Sequence, residues 1–227
     1  MKYKNVIFTD LDGTILDTVD RHYNCYYDII IRKNAVPLCK EEYWQLKRKK
    51  IKRTVLLEKS GWNLPYEDFY NDWLDLIETE NYLEFDRLSE ETKSNLFKIK
   101  KNYRIILVTM RRFKTNLINQ LIKLKILDVF EDVIVTDPFV QGSKYIKLLE
   151  TDIEFDKAIV IGDTEEDMYL AKGLLLPFVA ITSGLRDEVY LNTEHKFKKF
   201  PSIDIIDKVF NEEYQQKASI KNYLRGL

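Results

Sequence analysis

The stretch Val6-Ile7-Phe8-Thr9-Asp10-Leu11-Asp12-Gly13-Thr14 places a short apolar run directly before two carboxylates that are two residues apart. An apolar run without polar alternation is typical of a parallel strand that is covered on both faces. Gly13 is the residue type that best permits a sharp turn after such a strand. The stretch therefore predicts a buried strand whose carboxyl end presents Asp10 and Asp12.

Four further apolar runs of the same kind occur later in the chain, and amphipathic helical stretches follow three of the five runs. The later runs cover residues 105–108, 133–135, 158–161 and Phe178–Ile181. One helical stripe consists of Leu117, Ile118, Leu121 and Ile122, and another of Tyr145, Leu148 and Leu149. Strands that alternate with helices predict an α/β fold with a Rossmann-like parallel sheet.

The gap between the first and second runs is too long for a simple crossover connection, which predicts an insertion. All three Trp residues and many Tyr and Phe residues lie in this gap, and Gly61 is the only glycine between positions 18 and 85. An aromatic, nearly glycine-free segment is typical of a small helical unit with its own core. We therefore predict an all-α cap domain over residues 17–85, and an α/β core formed by residues 1–16 and 86–227.

Polar side chains are predicted at the edge of the sheet where ligands of such folds bind, which is the carboxyl end of the strands. Besides Asp10 and Asp12, this edge receives the segments Thr109-Met110-Arg111-Arg112, Gly142-Ser143-Lys144 and Gly162-Asp163-Thr164-Glu165-Glu166-Asp167. Together they supply a nucleophilic carboxylate, further carboxylates, a hydroxyl and an ammonium group. This combination favours phosphoryl transfer, because the Thr109 hydroxyl and Lys144 can bind the phosphoryl oxygens.

The predicted convergence of Asp10, Asp12, Asp163 and Asp167 requires a cation. Two carboxylates in close contact repel each other by ~4 kcal/mol at an effective dielectric constant of about 20. Oxygen ligands without a nearby His or Cys favour Mg²⁺, which binds one or two carboxylates together with a substrate phosphate. The four aspartates are therefore candidate metal ligands, with Mg²⁺ as the expected cofactor.

In this order the motifs resemble the haloacid dehalogenase superfamily, and within it the phosphoglycolate phosphatase-like branch that carries a helical cap after the first strand. Asp10-Leu11-Asp12-Gly13-Thr14 is similar to the first motif of that superfamily, Thr109 to the second, Lys144 to the third, and the stretch from Gly162 to Asp167 to the fourth. The resemblance covers nearly the whole chain.

The resemblance implies a catalytic set of Asp10, Asp12, Thr109 and Lys144. Asp10 would attack phosphorus to form an aspartyl phosphate, and Asp12 would protonate the leaving oxygen and then activate water. The resemblance also implies that Asp10, Asp163 and the backbone carbonyl of Asp12 hold Mg²⁺. Asp167 would orient Lys144 or join the outer shell of the metal.

The residues expected to contact substrate are Gly13, Thr14, Arg111 and His22. Arg111 follows a strand end, although a surface ion pair is an equal alternative. His22 resembles a cap histidine of the sugar-phosphate mutases of this superfamily, although a structural histidine is the default interpretation. The basic run Lys47-Arg48-Lys49-Lys50-Ile51-Lys52-Arg53 lies in the cap, where most of its side chains are expected to be solvated and one or two could face the substrate.

These observations predict an enzyme, a Mg²⁺-dependent phosphomonoester hydrolase that acts on a small phosphorylated metabolite. The first alternative is a sugar phosphomutase that resembles β-phosphoglucomutase, supported by Asp17, Thr18 and His22. The second is a catalytically quiet binding module of the same fold. Dehalogenation is disfavoured, because that branch uses neither a second carboxylate at Asp12 nor Mg²⁺.

Composition narrows the expected partners. Lys and Arg number 36 against 37 Asp and Glu, so the chain has no global field that would hold it on nucleic acid or an anionic membrane. Its two cysteines, Cys25 and Cys39, have no metal-like spacing and suggest no disulfide framework. Without an apolar run long enough for a signal peptide or a membrane span, we expect a cytoplasmic monomer or homodimer.

Overall fold

The computed structural model describes the backbone of residues 5–224 and the side chains of residues 5–214. These residues form one parallel sheet of six strands in the order β3-β2-β1-β4-β5-β6. The strands are β1 (Val6–Thr9), β2 (Arg104–Thr109), β3 (Asp132–Val135), β4 (Ala158–Gly162), β5 (Phe178–Ile181) and β6 (His195–Phe197). The predicted α/β fold with a Rossmann-like parallel sheet is confirmed.

The helices fall into two groups along the chain, one within the insertion and one around the sheet. The first group is α1 (Val19–Arg32), α2 (Lys40–Arg48), α3 (Arg53–Lys59), α4 (Tyr66–Leu76) and α5 (Glu80–Leu83). The second group is α6 (Glu90–Ile99), α7 (Lys114–Lys123), α8 (Ser143–Leu149), α9 (Glu165–Gly173) and α10 (Ile203–Leu224).

The sheet has an apolar core on each face, which explains why its strands lack polar alternation. Side chains that alternate along β1 point to opposite faces, so that Ile7 joins one cluster while Val6 and Phe8 join the other. All three are at most 1% exposed. The register aligns Val6 with Arg104 on one side and with Ala158 on the other, so that the carboxyl end of β1 lies between those of β2 and β4.

The insertion between β1 and β2 has an apolar cluster of its own. Tyr26, Ile29, Phe69 and Trp73 are among its buried members, and all of them lie on α1 or α4. The two segments that connect these helices to the core run side by side, where Asp17 and Arg87 exchange two backbone hydrogen bonds of 2.9 Å. The exact cap boundaries, residues 17–85, stay a prediction.

The part of the core after residue 190 contains a strand, β6, and a helix, α10, that the five apolar runs do not predict. His195 lies on the edge strand β6, and its Nε2 is 2.8 Å from Glu213 Oε1. Helix α10 continues through the polar tail that follows Phe210. The sequence of this tail leaves open whether Ile220, Tyr223 and Leu224 dock as one helical turn or the tail frays, and these side chains lie outside the described ones. Within residues 5–224, no helix combines the length and apolarity that crossing a membrane requires.

Candidate active site

The functional side chains predicted from the four motifs meet at the carboxyl edge of the sheet. Asp10 directly follows β1, Thr109 ends β2, Asp163 directly follows β4, and Lys144 lies in the first turn of α8. Each of the four is at most 7% exposed. Because the strands that end in Asp10, Thr109 and Asp163 are immediate neighbours, the sheet topology alone brings these residues together.

Lys144 links two of the aspartates. Its Nζ lies 2.9 Å from Asp10 Oδ1 and 2.6 Å from Asp167 Oδ1. Burial lowers the pKa of Lys144, but Asp10 and Asp167 raise it further, so its pKa lies above the usual lysine value. The ammonium group is therefore held charged beside Asp10. Helix α8 begins after Gly142, whose backbone N donates to Glu166 Oε2 at 2.9 Å.

Asp10, Asp163 and Asp167 form a group of carboxylates that could hold a metal ion. Each contributes one oxygen that lies within 4.8 Å of the others. Burial raises the pKa of Asp10 to about 6, a shift that Lys144 partly opposes and that Asp167 and Asp12 add to. Burial and the charges of Asp10 and Asp167 also hold the pKa of Asp163 well above its usual value.

An oxygen-only donor set suits Mg²⁺. The raised pKa values of Asp10 and Asp163 indicate that Lys144 does not fully offset the burial of these carboxylates and the charges of their neighbours. Asp10 Oδ1 is buried, and its described polar contact is the ion pair with Lys144 Nζ at 2.9 Å. These features fit a divalent cation. Asp167, in contrast, uses Oδ1 for Lys144 and Oδ2 for the backbone N and hydroxyl of Thr164. Its contacts suit a role in orienting Lys144.

The side chain of Asp12 does not belong to this group of carboxylates and is held by two arginines. Arg111 donates from Nε and Nη2 to the two carboxylate oxygens, each at 2.6 Å, and Arg21 Nη2 lies 2.9 Å from Oδ1. Burial raises the pKa of Asp12, but Arg111 and Arg21 outweigh burial and hold the pKa below its usual range. Asp12 is therefore ionised in this conformation.

Asp86 completes a buried network behind Asp12 that the sequence analysis missed. Its Oδ1 lies 3.0 Å from Arg21 Nε, its Oδ2 lies 3.6 Å from Arg111 Nη2, and Gln120 Nε2 donates to Oδ2 at 2.8 Å. Arg21 belongs to the first helix of the insertion, whereas Asp86 lies on the connection that returns to the core. A charged residue on the buried face of α1 was the available signal, since Arg21 shares that face with Cys25.

Gly13 and Thr14 position Asp163. The Thr14 hydroxyl donates to Asp163 Oδ1 at 3.1 Å, and the backbone N of Leu185 donates to Oδ2 at 2.5 Å. Gly13 has a left-handed φ of +78°, and a Cβ atom there would lie 2.0 Å from Asp163 Oδ2. Both residues were predicted to contact substrate. In this structure Thr14 binds Asp163, and the backbone N of Gly13 donates to the Leu16 carbonyl at 2.8 Å.

The basic run of the insertion divides into side chains with different roles. Arg48 binds the core, with Nη2 donating to the Thr182 carbonyl at 2.6 Å and Nε 2.9 Å from Asp187 Oδ1. Lys50 Nζ lies 2.7 Å from Glu165 Oε1. Lys49 and Lys52 are exposed, whereas Lys47 and Arg53 are half-buried against aromatic rings.

His22 lies beside Lys47, and its ring packs against Trp44 and Trp73 with centroids 6.1 and 5.5 Å away. Burial holds the pKa of His22 well below its usual value, and the charges of Lys47, Arg21, Arg111 and Arg53 lower it further. His22 is therefore neutral. Its Nδ1 accepts from Lys47 Nζ, and in the described structure the side chain that holds Asp12 from α1 is Arg21.

Comparison with known proteins gives a consistent family and fold. A family model described as haloacid dehalogenase-like hydrolase matches residues 6–181. No curated protein is similar enough in sequence to count as a match.

Solved structures match nearly the whole chain at low sequence identity. A predicted phosphoglycolate phosphatase from Haemophilus somnus has a TM-score of 0.71 at 16% identity, with 92% of this chain and 99% of that chain covered. A predicted phosphatase from Clostridium acetobutylicum has a TM-score of 0.69 at 18% identity, with coverage of 92% and 99%. A predicted β-phosphoglucomutase from Thermotoga maritima has a TM-score of 0.66 at 15% identity, with coverage of 91% and 99%. At these identities the likeness is one of fold.

Proposed function

Because the chain belongs to the haloacid dehalogenase-like hydrolase family, we propose that it is a Mg²⁺-dependent phosphomonoester hydrolase that acts on a small phosphorylated metabolite. One observation carries the proposal. Asp10 lies buried at the end of the central strand, with its carboxylate 2.9 Å from Lys144 and in a group with Asp163 and Asp167. An ammonium group and a candidate cation site beside this carboxylate could both bind the oxygens of a phosphate. The carboxylate itself could then act as the nucleophile toward phosphorus.

The proposed reaction has two steps. In the first, an Asp10 carboxylate oxygen forms a bond to phosphorus while the ester P–O bond breaks, and the leaving oxygen takes a proton from the Asp12 carboxyl group. In the second, water attacks phosphorus, Asp12 takes a proton from that water, and the bond between phosphorus and Asp10 breaks. Inorganic phosphate leaves and both aspartates are restored. Lys144 and the Thr109 hydroxyl bind the phosphoryl oxygens, where the transition state spreads its charge.

The arginine pair favours one of the two protonation states that Asp12 needs. Arg111 and Arg21 hold Asp12 ionised, which is the state that accepts a proton from water in the second step. Asp12 must be protonated in the first step, so the pairing has to loosen when substrate enters. Asp12 therefore changes partners during the proposed cycle.

We assign Mg²⁺ to Asp10 and Asp163, with Asp167 next to them. When bound, Mg²⁺ would neutralise negative charge on the carboxylates and on the substrate phosphate. The hydrogen bonds that Asp163 accepts from the Thr14 hydroxyl and the backbone N of Leu185 support this assignment, because they fix the direction of its carboxylate. Lys144 keeps a positive charge beside Asp10 and binds Asp167, so the protein itself neutralises part of the cluster.

Phosphate release from phenyl phosphate with Mg²⁺ tests the proposal. We expect the Asp10→Asn variant to lose turnover by more than about a thousandfold, because an amide cannot form the covalent intermediate. The matched control is Asp152→Asn, which changes an exposed carboxylate in the same way. Acid quenching during turnover should also leave one phosphoryl group on the wild-type peptide that contains Asp10.

Unchanged turnover in Asp10→Asn would contradict the proposal. Isomerisation of a hexose phosphate without net phosphate release would indicate the mutase alternative. Absence of both turnover and phosphate binding with Mg²⁺ would favour the quiet binding module.

A further inference from the structure

A cavity of about 630 Å³ lies between the inserted helices and the loop that follows β5, and we call it the cap cavity. Its wall includes Lys47, Arg53 and Trp73 from the insertion and Arg186 from the core. A smaller cavity of about 230 Å³ reaches from there to Asp12, and the two share Arg53 and Trp73 in their walls. The leaving group of a phosphate ester on Asp10 would pass Asp12 and extend toward the cap cavity.

The cap cavity is strongly positive. Four cationic side chains line it, namely Lys47, Lys50, Arg53 and Arg186, and among the described residues no carboxylate does. Lys50 and Arg186 are both bound to one carboxylate behind the wall, that of Glu165, at 2.7 and 2.8 Å. Glu165 neutralises only one of these two charges, and Lys47 and Arg53 add two further charges that have no carboxylate partner among the described residues.

Lys47 and Arg53 contact aromatic rings and no anion. Lys47 Nζ lies 4.9 Å from the centroid of Trp73, and the Arg53 guanidinium carbon lies 5.0 Å from the same centroid. The polar contacts of Lys47 are with His22 and with the Tyr43 hydroxyl at 3.4 Å, and Arg53 Nη1 is 3.4 Å from the Tyr66 hydroxyl. Within residues 5–214, neither cation has a carboxylate at ion-pair distance.

Two half-buried cations beside one ring are costly to the free protein. Cation–π contacts recover only about 0.5–2 kcal/mol each, whereas an unpaired charge taken out of water costs several kcal/mol. The pKa of Lys47 reflects this cost, since burial lowers it well below the usual lysine value and nearby Arg53 and Arg186 lower it further. A ligand anion placed between Lys47 and Arg53 would supply the missing counter-charge.

From this arrangement, and resting on the proposed function, we infer that the substrate carries a second anionic group on its leaving portion. Lys47 and Arg53 bind that group in the cap cavity, beside the Trp73 ring. The second anion is a carboxylate or a second phosphate, because both accept hydrogen bonds from an ammonium and a guanidinium group. The size of the cavity and its aromatic wall favour a leaving portion of ring size or larger over a two-carbon acid.

The test compares phosphate esters of equal size and different charge. The probes are para-carboxyphenyl phosphate, its neutral amide analogue para-carbamoylphenyl phosphate, and para-phenylene bisphosphate. We expect kcat/KM for the wild-type enzyme to be at least about tenfold higher for the carboxylate than for the amide, as one charge-assisted hydrogen bond provides. The relative rates of the carboxylate and the bisphosphate identify which second anion is preferred.

Variants assign the preference to the two cations. We expect Lys47→Met and Arg53→Met each to bring the carboxylate-to-amide ratio of kcat/KM close to one. Lys49→Met and Lys52→Met are matched controls from the same basic run, and their exposed side chains should leave the ratio unchanged. A wild-type ratio near one, or an equal ratio in the wild type and both cavity variants, would overturn the inference.

A binding measurement keeps this test separate from the proposed function. In Asp10→Asn, calorimetry with the carboxylate and amide esters should show the same preference, and Lys47→Met should remove it. Hydrolysis of phenyl phosphate without a preference for the carboxylate ester would refute the second anion site and leave the hydrolase proposal intact. A binding preference without any turnover would support the site and refute the hydrolase.

Discussion

Arg111 is the residue at which two interpretations of the site can be separated. Sequence analysis predicted that it contacts substrate, whereas in the structure its guanidinium makes two 2.6 Å hydrogen bonds to Asp12. A planar, two-pronged contact fixes the direction of the carboxylate as well as its charge. In the proposed mechanism, Arg111 would therefore act on the reaction through Asp12.

We predict that Arg111→Lys lowers kcat for phenyl phosphate by about tenfold or more with little change in KM, because a lysine keeps the charge and loses the two-pronged contact. Steady-state kinetics separates the two constants. The reverse result, a raised KM with unchanged kcat, would return Arg111 to direct substrate binding. Arg112→Lys is the control, since Arg112 Nη1 donates to the Leu74 carbonyl and lies outside the Asp12 network.

At the scale of an element, the turn after β1 joins Asp10, the proposed nucleophile, to Asp163 of the candidate metal site. Gly13 takes a left-handed conformation in this turn, and any side chain there would meet Asp163. Gly61 has a similar φ of +69° in the insertion, but a Cβ atom there would meet nothing within 4 Å. The two glycines therefore share the same backbone requirement and differ in their surroundings.

We predict that Gly61→Ala costs about 1–2 kcal/mol of unfolding free energy, which is the cost of the left-handed conformation for an L-residue. Gly13→Ala should cost at least about 2 kcal/mol more than Gly61→Ala, because Asp163 must also move. Urea unfolding monitored by circular dichroism gives both values. Equal losses in the two variants would show that the approach of Gly13 to Asp163 adds nothing to stability.

Elements with a strong apolar or aromatic pattern could be predicted from the sequence, and weakly patterned ones could not. The five apolar runs all became strands because each is covered on both faces. Strand β6, His195–Phe197, is a three-residue edge strand with half-exposed or exposed side chains, so it has no apolar signal. The start of α6 could be predicted because serine is a common N-cap residue. In the structure Ser89 has this role and accepts the backbone N–H of Thr92.

The candidate site also has one part that the sequence could predict and one part that it could not. The meeting of Asp10, Thr109 and Asp163 follows from strand order, which a parallel α/β pattern already implies. The network of Arg21 and Asp86 depends on how the insertion packs against the core, and no local pattern records that packing. The basic run shows the same limit, since its spacing does not indicate that Lys47 and Arg53 face a cavity while Arg48 binds Asp187.

For the whole molecule, the carboxylate cluster predicts that Mg²⁺ and pH act together on stability. Burial raises the pKa of Asp10 to about 6 and that of Asp163 well above its usual value. When the pKa of an acid is higher in the folded state than in the unfolded state, the folded protein loses stability as the pH rises toward the folded-state pKa. For Asp10 this loss lies between the ordinary carboxyl pKa of 3.8 and about 6, so the metal-free protein carries the full electrostatic cost of ionised Asp10 above about pH 6, and a bound cation would offset it.

We predict that saturating Mg²⁺ raises Tm more at about pH 7.5 than at about pH 5.5, because protons compete with the cation at the lower pH. Apparent Mg²⁺ affinity should fall by up to about tenfold per pH unit below 6 for each proton displaced. Thermal scans and calorimetry at the two pH values measure both effects. An increase in Tm that is independent of pH, or that persists in Asp163→Asn, would contradict the assigned site.

The paired connections at Asp17 and Arg87 are natural junctions for replacing the insertion with that of another protein. A transplant with junctions at these positions would carry Arg21 away with the old helices, leaving Arg111 to hold Asp12 alone. In the proposed mechanism, such a chimera would change the wall of the cap cavity and weaken the hold on Asp12, the proposed proton-transfer group, in the same step. Retaining α1 of the recipient, and grafting only the segment after it, avoids this coupling.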